Sequence, residues 1–268
     1  MKRSSLALVL TVLLAGCATP QNYYDPLEPV NRKTYAFNKA IDRAVLKPTT
    51  EAYVRHAPQP VQTGVRNFFG NLDDLFSTLA ALLQFKGTDA VHSGSRVLVN
   101  TTAGLAGLID WGTPLGMKKG EEDFGQVLGF YGVPSGAYLI LPFYGPLTVR
   151  DSAEPVARAL IAPLDFIDST AWDVGYYTFY VLDRRAQLLP VDKLLEVQPD
   201  EYAYVRDAYL QRRWNRIHDG HPPHPLPMGS EGEEDYFDPG PTPQDASTPA
   251  ATPASEPAAV VASGAVMP

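Results

Sequence analysis

Apolar residues return every three or four positions along much of this chain, the spacing of one face of an α-helix. Val30, Thr34, Phe37, Ile41 and Val45 make one such stripe, with Asn31, Arg32, Lys39, Asp42 and Arg43 on the other faces. Asp25-Pro26-Leu27-Glu28-Pro29 opens this helix, as proline does near a first turn, and Pro48 is expected to end it. Glu51 to His56 reads as a short helical piece closed by Pro58 and Pro60. Phe68, Leu72, Leu75, Phe76, Leu79, Leu82 and Leu83 then form a broad stripe through Asn67 to Phe85, flanked by Asp73, Asp74, Ser77, Thr78 and Gln84. That stripe suits either a packed core or a helix lying in a bilayer interface, although interfacial helices usually carry Lys or Arg on the polar face. Helical spacing continues over Thr88 to Ser95, Asp151 to Ala162, Asp173 to Leu189 and Val191 to Val197. In Asp200 to Ile217 the apolar positions face Arg206, Arg212, Arg213 and Arg216, cations that suit either the helix dipole or phospholipid phosphates.

The periodicity fails between Gly104 and Arg150. From Phe124 to Val149 there are 26 residues without Asp, Glu, Lys, Arg or His. Glycines 125, 129, 132, 136 and 145 and prolines 134, 142 and 146 interrupt this run, so it cannot be a regular helix. Irregular backbone is tolerated at membrane depth only where protein or a water-accessible cavity satisfies its amides; the core of a soluble domain would satisfy them too. Ala137 to Leu141 is the best strand candidate, without a partner of comparable quality. The fold expected is mainly α: a single domain of about six to eight amphipathic helices, a Gly/Pro-rich irregular segment, and little or no sheet.

Lys2 and Arg3 followed by apolar Leu6 to Leu14 read as a secretory signal, and Leu14-Ala15-Gly16-Cys17 resembles the bacterial lipobox. Residues 1–16 are therefore expected to be removed, leaving Cys17 as the lipid-attachment residue and 17–28 as an anchor and short linker. Cys17 is the only cysteine, which excludes a disulfide framework or a thiolate metal cluster. Acyl chains anchor stably when two or more are present. Ala18, where inner-membrane lipoproteins typically carry Asp, points to the outer membrane. The helical domain is expected over 29–220, and the Pro/Ala-rich acidic stretch 221–268 as a disordered tail. Seven acids of that tail carry most of the net charge of −8. The body is close to neutral, so nucleic acid is not expected as a partner.

Catalytic signatures fail. Gly132-Val133-Pro134-Ser135-Gly136 has its serine one place too late for a nucleophile elbow. Phosphate loops, dinucleotide fingerprints and zinc-protease motifs are missing. His218, His221 and His224 sit in a Pro-rich context that cannot preorganise a metal shell. Asp73-Asp74 and Glu121-Glu122-Asp123 are consecutive, which suits a solvated surface. Neither an enzyme nor a cofactor is expected.

Asp25 to Arg32 with Phe37-Asn38 resembles the start of the MlaA (VacJ) lipoprotein family. Asn67-Phe68 with Gly70 to Leu72, Gly107 to Asp110, Phe124-Gly125, Leu128-Gly129, Tyr131-Gly132, Leu141 to Gly145, Arg150-Asp151 and Arg206 to Arg212 extend the resemblance over roughly residues 14 to 218. It implies a lipid-anchored protein on the periplasmic face of the outer membrane that removes mislocalised phospholipids from the outer leaflet. In the family a ring of helices sits in the inner leaflet, associates with trimeric porins and encloses an amphipathic channel. Lipid passes to a soluble periplasmic carrier and on to an inner-membrane ABC transporter. The resemblance and the uncharged stretch together make Phe37, Asn38, Phe124, Leu128, Tyr131, Leu141, Phe143 and Tyr144 the residues expected along the channel or lipid path. A structural lipoprotein tethering the envelope or a porin without a lipid pathway is the alternative. A lipid hydrolase would need a nucleophile motif that the chain lacks.

Overall fold

The chain enters its first long helix at Glu28, with Pro29 in the first turn. The structure is a computed structural model and describes residues 18–161, 167 and 169–228; the expected signal segment, Cys17 and the tail beyond Met228 lie outside the described residues. Helix α1 (Glu28–Ile41) runs through a π-helical turn, Asp42–Leu46, into α2 (Lys47–His56). Pro48 therefore does not end the helix as expected. The Lys47 N–H bonds to the Asp42 carbonyl five residues back, and this wider turn makes room for a proline ring that would otherwise meet the carbonyl four residues before it.

Pro58 and Pro60 open α3 (Gln59–Leu83) rather than closing the piece before it, since a first-turn proline gives up an N–H that has no helical partner. Phe85, at φ +59°, reverses the chain into α4 (Gly87–Thr102), which packs along α3. After a long loop come α5 (Phe124–Phe130) and an antiparallel hairpin of β1 (Tyr138–Leu141) and β2 (Gly145–Thr148). A 3-10 turn at Arg150–Ser152 leads into α6 (Ala153–Ile161). Then follow α7 (Thr170–Leu188), α8 (Asp192–Glu196) and α9 (Glu201–Ile217). The mainly α class with a fragment of sheet is the one expected. The partner strand escaped notice because its first two residues, Gly145 and Pro146, are poor strand formers.

The helical faces are inverted relative to an ordinary soluble domain. On α3 and α4 the buried positions include Asn71, Asp74, Ser77, Ser93, Arg96 and Asn100. Meanwhile Leu82, Leu83, Phe85, Val91 and Leu98 are exposed, Phe85 by 82%. Of the two readings of the apolar stripe, core packing is therefore the wrong one. Arg96 explains the inversion: Nε donates to Asp74 (2.8 Å), Nη1 to Thr113 Oγ1 (3.0 Å) and the Met117 carbonyl (3.1 Å), and Nη2 to Asp110 (3.1 Å). Asn100 Oδ1 accepts from Trp111 and Gly112 N–H groups at 2.8 and 3.0 Å. These polar groups fold the loop after α4 back onto the hairpin, and the apolar side chains face outward. Gly107, at φ +92°, lies where a Cβ would stand 2.8 Å from the Asn71 Cβ, a close approach that glycine permits.

An apolar cluster of Tyr138, Ile140, Tyr202, Tyr209, Leu210, Trp214 and Leu226 joins the hairpin to α9, with Tyr24, Tyr35 and Met228 against it. Both expected domain boundaries shift accordingly. Tyr24 in the supposed linker accepts from the Tyr138 N–H at 2.8 Å. Trp214 Nε1 donates to the His224 carbonyl at 2.8 Å, so the ordered body extends to at least Met228. Among the described residues no helix is long and apolar enough to cross a membrane.

Candidate functional site

Two asparagines on α1 hold the hairpin by its backbone. Asn31 Nδ2 donates to the Tyr138 carbonyl (3.0 Å) while its Oδ1 accepts from the Ile140 N–H (2.9 Å). Asn38, seven residues on and so on the same helical face, donates to the Leu141 carbonyl and accepts from the Phe143 N–H, both at 2.9 Å. Each amide thus stands in for a strand partner. At the tip the Tyr144 N–H reaches the Leu141 carbonyl (3.3 Å) and Phe143 takes φ +60°. That is a type II geometry with Pro142 in the position proline favours. A left-handed backbone costs a non-glycine residue ~1–2 kcal/mol, and the bond to Asn38 helps hold it. The Phe37 ring meets the Phe143 ring edge-on at 5.4 Å. Phe37, Leu141 and Phe143 form an exposed apolar patch.

Tyr144 turns the other way, toward an interior that sequence reasoning missed. Burial pushes its hydroxyl well above the ordinary tyrosine value, and Tyr180 and Glu154 push it further. Glu154 on α6 accepts from the Phe124 N–H (2.9 Å) and from Arg158 Nε (2.5 Å). Arg158 Nη1 donates to Asp73 Oδ1 at 3.1 Å, and Arg184 Nη2 to Asp73 Oδ2 at 2.6 Å. Arg158 lies over the Phe76 ring and Arg184 over the Tyr180 ring, 4.4 and 5.1 Å from the centroids. Tyr176 and Tyr180 are parallel to within 1°, and Phe69 meets both edge-on at 5.3 and 5.2 Å. Burial drives the Asp73 carboxyl upward, but Arg184 and Arg158 outweigh it and hold the group below its usual range. Glu154 goes the opposite way, burial winning over Arg158. The side chains of Arg158 and Asp73 nevertheless keep 32% and 18% of their surface open. The interior is therefore a cavity wall with paired charges and aromatic faces.

A second node fastens α5 to α9. Asp123 caps α5 by accepting from the Gln126 N–H at 2.9 Å, and Arg213 bridges Asp123 and Asp151, Nη2 reaching Asp151 at 2.7 Å. Tyr209 donates to the other Asp151 oxygen at 2.7 Å. Burial pushes Asp123 up, yet Arg213 prevails and brings the carboxyl down to about 2. A Cβ on Gly125 would stand 2.5 Å from the Asp151 carboxylate, so only glycine lets these groups pass.

The expected site residues therefore separate. Phe37, Asn38, Leu141 and Phe143 meet at the hairpin tip, and Tyr144 and Phe124 border the interior. Leu128 and Tyr131 belong to the junction of α5 with α3, where the Tyr131 hydroxyl donates to the Leu83 carbonyl at 2.7 Å. Cys17 lies outside the described residues. The acidic runs are not solvated surfaces: Asp74 is fully buried, Asp73 and Asp123 are paired inside, and Glu122 pairs with Lys86 at 3.0 Å. The arginines of α9 mostly pair with carboxylates, Arg206 with Asp207 at 2.7 Å and Glu28 at 3.5 Å, instead of capping the helix end. The one sequence signal for the interior was Glu154 and Arg158 four residues apart. Among the described residues no group of three or more His, Cys, Asp or Glu is arranged to hold a metal ion.

Known proteins match this architecture. The family model for the MlaA lipoprotein covers residues 23–216. The intermembrane phospholipid transport system lipoprotein MlaA of Escherichia coli K12 is 36% identical over 220 residues, 79% of this chain and 87% of that one. The Haemophilus influenzae protein of the same name is 31% identical over 224 residues, 80% and 90% of the two chains. A solved structure described as "Structural basis for maintenance of bacterial outer membrane lipid asymmetry" superposes with a TM-score of 0.64 at 34% identity, covering 72% of this chain and 98% of the other.

Proposed function

The chain belongs to the MlaA lipoprotein family, and on that premise we propose that it is an intermembrane phospholipid transport lipoprotein that preserves outer-membrane lipid asymmetry by passing phospholipid through its interior. The observation that carries this reading is the inversion of α3 and α4, with apolar side chains outward and paired charges inside. Outward leucines, valines and phenylalanines gain ~1.5–3 kcal/mol each when lipid covers them. A ring of helices seated in the inner leaflet satisfies that need, and a lipid anchor at Cys17 keeps it there. An exposed apolar surface of this extent otherwise marks an association or aggregation site.

The interior suits both halves of a phospholipid. Arg158 and Arg184 share Asp73, so both guanidinium groups keep donors that a phosphate can engage. Their charge is already balanced by Asp73 and Glu154, which makes the encounter weak enough to release, as conduction requires. Phe69, Phe76, Tyr144, Tyr176 and Tyr180 offer aromatic faces to acyl chains. Lipid leaves the outer leaflet here, with a trimeric porin as neighbour, and is taken by a soluble periplasmic carrier that feeds an inner-membrane ABC transporter. No bond is made or broken.

Deleting the gene tests the reading. Excess phospholipid in the outer leaflet, cleared by re-expression of the wild-type chain, is expected; an unchanged leaflet contradicts it. If the protein is only an envelope or porin tether, a charged substitution such as Tyr180→Asp that leaves folding and membrane association intact will be silent.

A further inference from the structure

A second cavity, separate from the charged interior, lies between the π-helical turn, the hairpin and the α7–α9 end of the chain. It is a cleft of about 190 Å³ walled by Leu46, Ile140, Pro146, Leu188, Leu195 and Val205. The hairpin register pairs Ile140 with Pro146, so both lie on one face of the hairpin while Leu139 and Leu147 lie on the other. None of Asp73, Glu154, Arg158, Tyr176, Tyr180 or Arg184 borders it.

Nearly all polar groups around this cleft are occupied by one another. The Asn38 amide is spent on the hairpin backbone. The Tyr35 hydroxyl donates to Glu201 at 2.7 Å, and Lys47 pairs with Asp192 at 2.9 Å. Arg185 is the exception. Its Nε and Nη2 bind Asp42 at 2.7 and 3.0 Å, and Nη2 also binds Asp192 at 2.9 Å. Its Nη1 is buried and has no hydrogen-bond partner among the described residues. The cleft thus combines apolar walls with one open donor, on a cation already neutralised by two carboxylates.

We infer that this cleft binds one fatty acyl ester, hydrocarbon along the apolar walls and ester carbonyl accepting from Arg185 Nη1. A charged oxygen would sit against Asp42 and Asp192, so an uncharged acceptor is favoured. A peptide strand fits worse, because every residue would bring an N–H and a C=O into a cleft with one open donor. The volume falls below the roughly 300–1,000 Å³ of sites that enclose a drug-sized ligand, which suits a single chain and not a whole phospholipid. Two sources supply this chemistry: a free phospholipid, or the acyl groups carried by Cys17 itself. Cys17 stands eight positions before Asp25, and Asp25 accepts from Tyr202, whose ring meets that of the cleft residue Tyr35 at 5.8 Å. The inference does not depend on lipid passing through the interior.

The test is photolabelling of the purified full-length protein, acylated and as Cys17→Ser, with a phosphatidylethanolamine bearing a diazirine in one acyl chain. Adducts on Arg185 to Leu195 are expected, lost on filling the cleft with Leu46→Trp or, should that variant not fold, Leu195→Trp. Adducts at Tyr176 to Tyr180 are expected to survive both substitutions. Cleft labelling in both protein forms assigns the site to free phospholipid, and labelling only in Cys17→Ser assigns it to the chain's own lipid. Lysophosphatidylcholine is expected to compete about tenfold better than hexadecylphosphocholine, which lacks the carbonyl. No cleft adducts in either form, adducts indifferent to the filling substitutions, or equal competition by the two amphiphiles overturns the proposal. Loss of labelling at Tyr176 to Tyr180 alone would count against the interior route and leave the cleft standing.

Discussion

Asn38 and Phe143, 105 positions apart, are joined by a 2.9 Å hydrogen bond from the Phe143 N–H to the asparagine oxygen. The same amide donates to Leu141 at 2.9 Å, so one side chain fixes the hairpin tip against α1. Asn38→Ala leaves a buried N–H and C=O unpaired, at about 1–3 kcal/mol. A fall in thermal midpoint of several degrees is expected in a denaturation series, with Asn38→Asp intermediate because it keeps the acceptor.

Arg96 is the centre of the inverted α3–α4 pair. Arg96→Ala strands the fully buried Asp74 carboxylate, and breaking a buried pair in this way costs about 3–5 kcal/mol. Arg96→Met with Asp74→Leu removes both charges and is expected to recover much of that loss. Chemical denaturation of the two variants side by side checks the difference.

Acid sensitivity follows from Asp123. Its carboxyl falls from 3.8 to about 2 on folding, chiefly because Arg213 outweighs burial. A depressed carboxyl stabilises the fold above its unfolded value and loses that contribution as pH falls through its folded value. The pair's contribution, about 2 kcal/mol from the size of the shift, is therefore expected intact at pH 5 and lost between about 4 and 2. In Asp123→Asn the stability profile should flatten across that window.

Arg158 and Arg184 predict a function-specific loss. Replacing both with glutamine keeps hydrogen-bonding capacity but removes the charges that meet phosphate, and leaves Asp73 and Glu154 facing the lumen. Clearance of outer-leaflet phospholipid is expected to fall by about an order of magnitude, the loss of one charge-assisted contact, while membrane association is retained. Outer-leaflet lipid assays on cells expressing the variant check this.

The helices were largely legible in the sequence, because periodicity survives wherever one face differs from the other. α1, α7 and α9 lie close to where spacing put them, and Asp200 caps α9 by accepting from the Ala203 N–H at 3.1 Å. Proline was the main source of error. Pro48 passes through a widened turn and Pro60 starts a helix, two outcomes that a breaker rule does not separate. Which way a stripe faces was not legible, since spacing gives a face but not its surroundings. Nor was the interior: Asp73 lies 85 and 111 positions from Arg158 and Arg184, and only the fold brings them together.

The most direct measurement places a photoreactive amino acid at Tyr180 in living cells and asks what it captures. Phospholipid adducts at Tyr180, at a level comparable to those from outward-facing Leu98, are the result expected if lipid travels through the interior. Adducts from Leu98 with none from Tyr180 would show lipid touching only the outer surface, and would contradict the account.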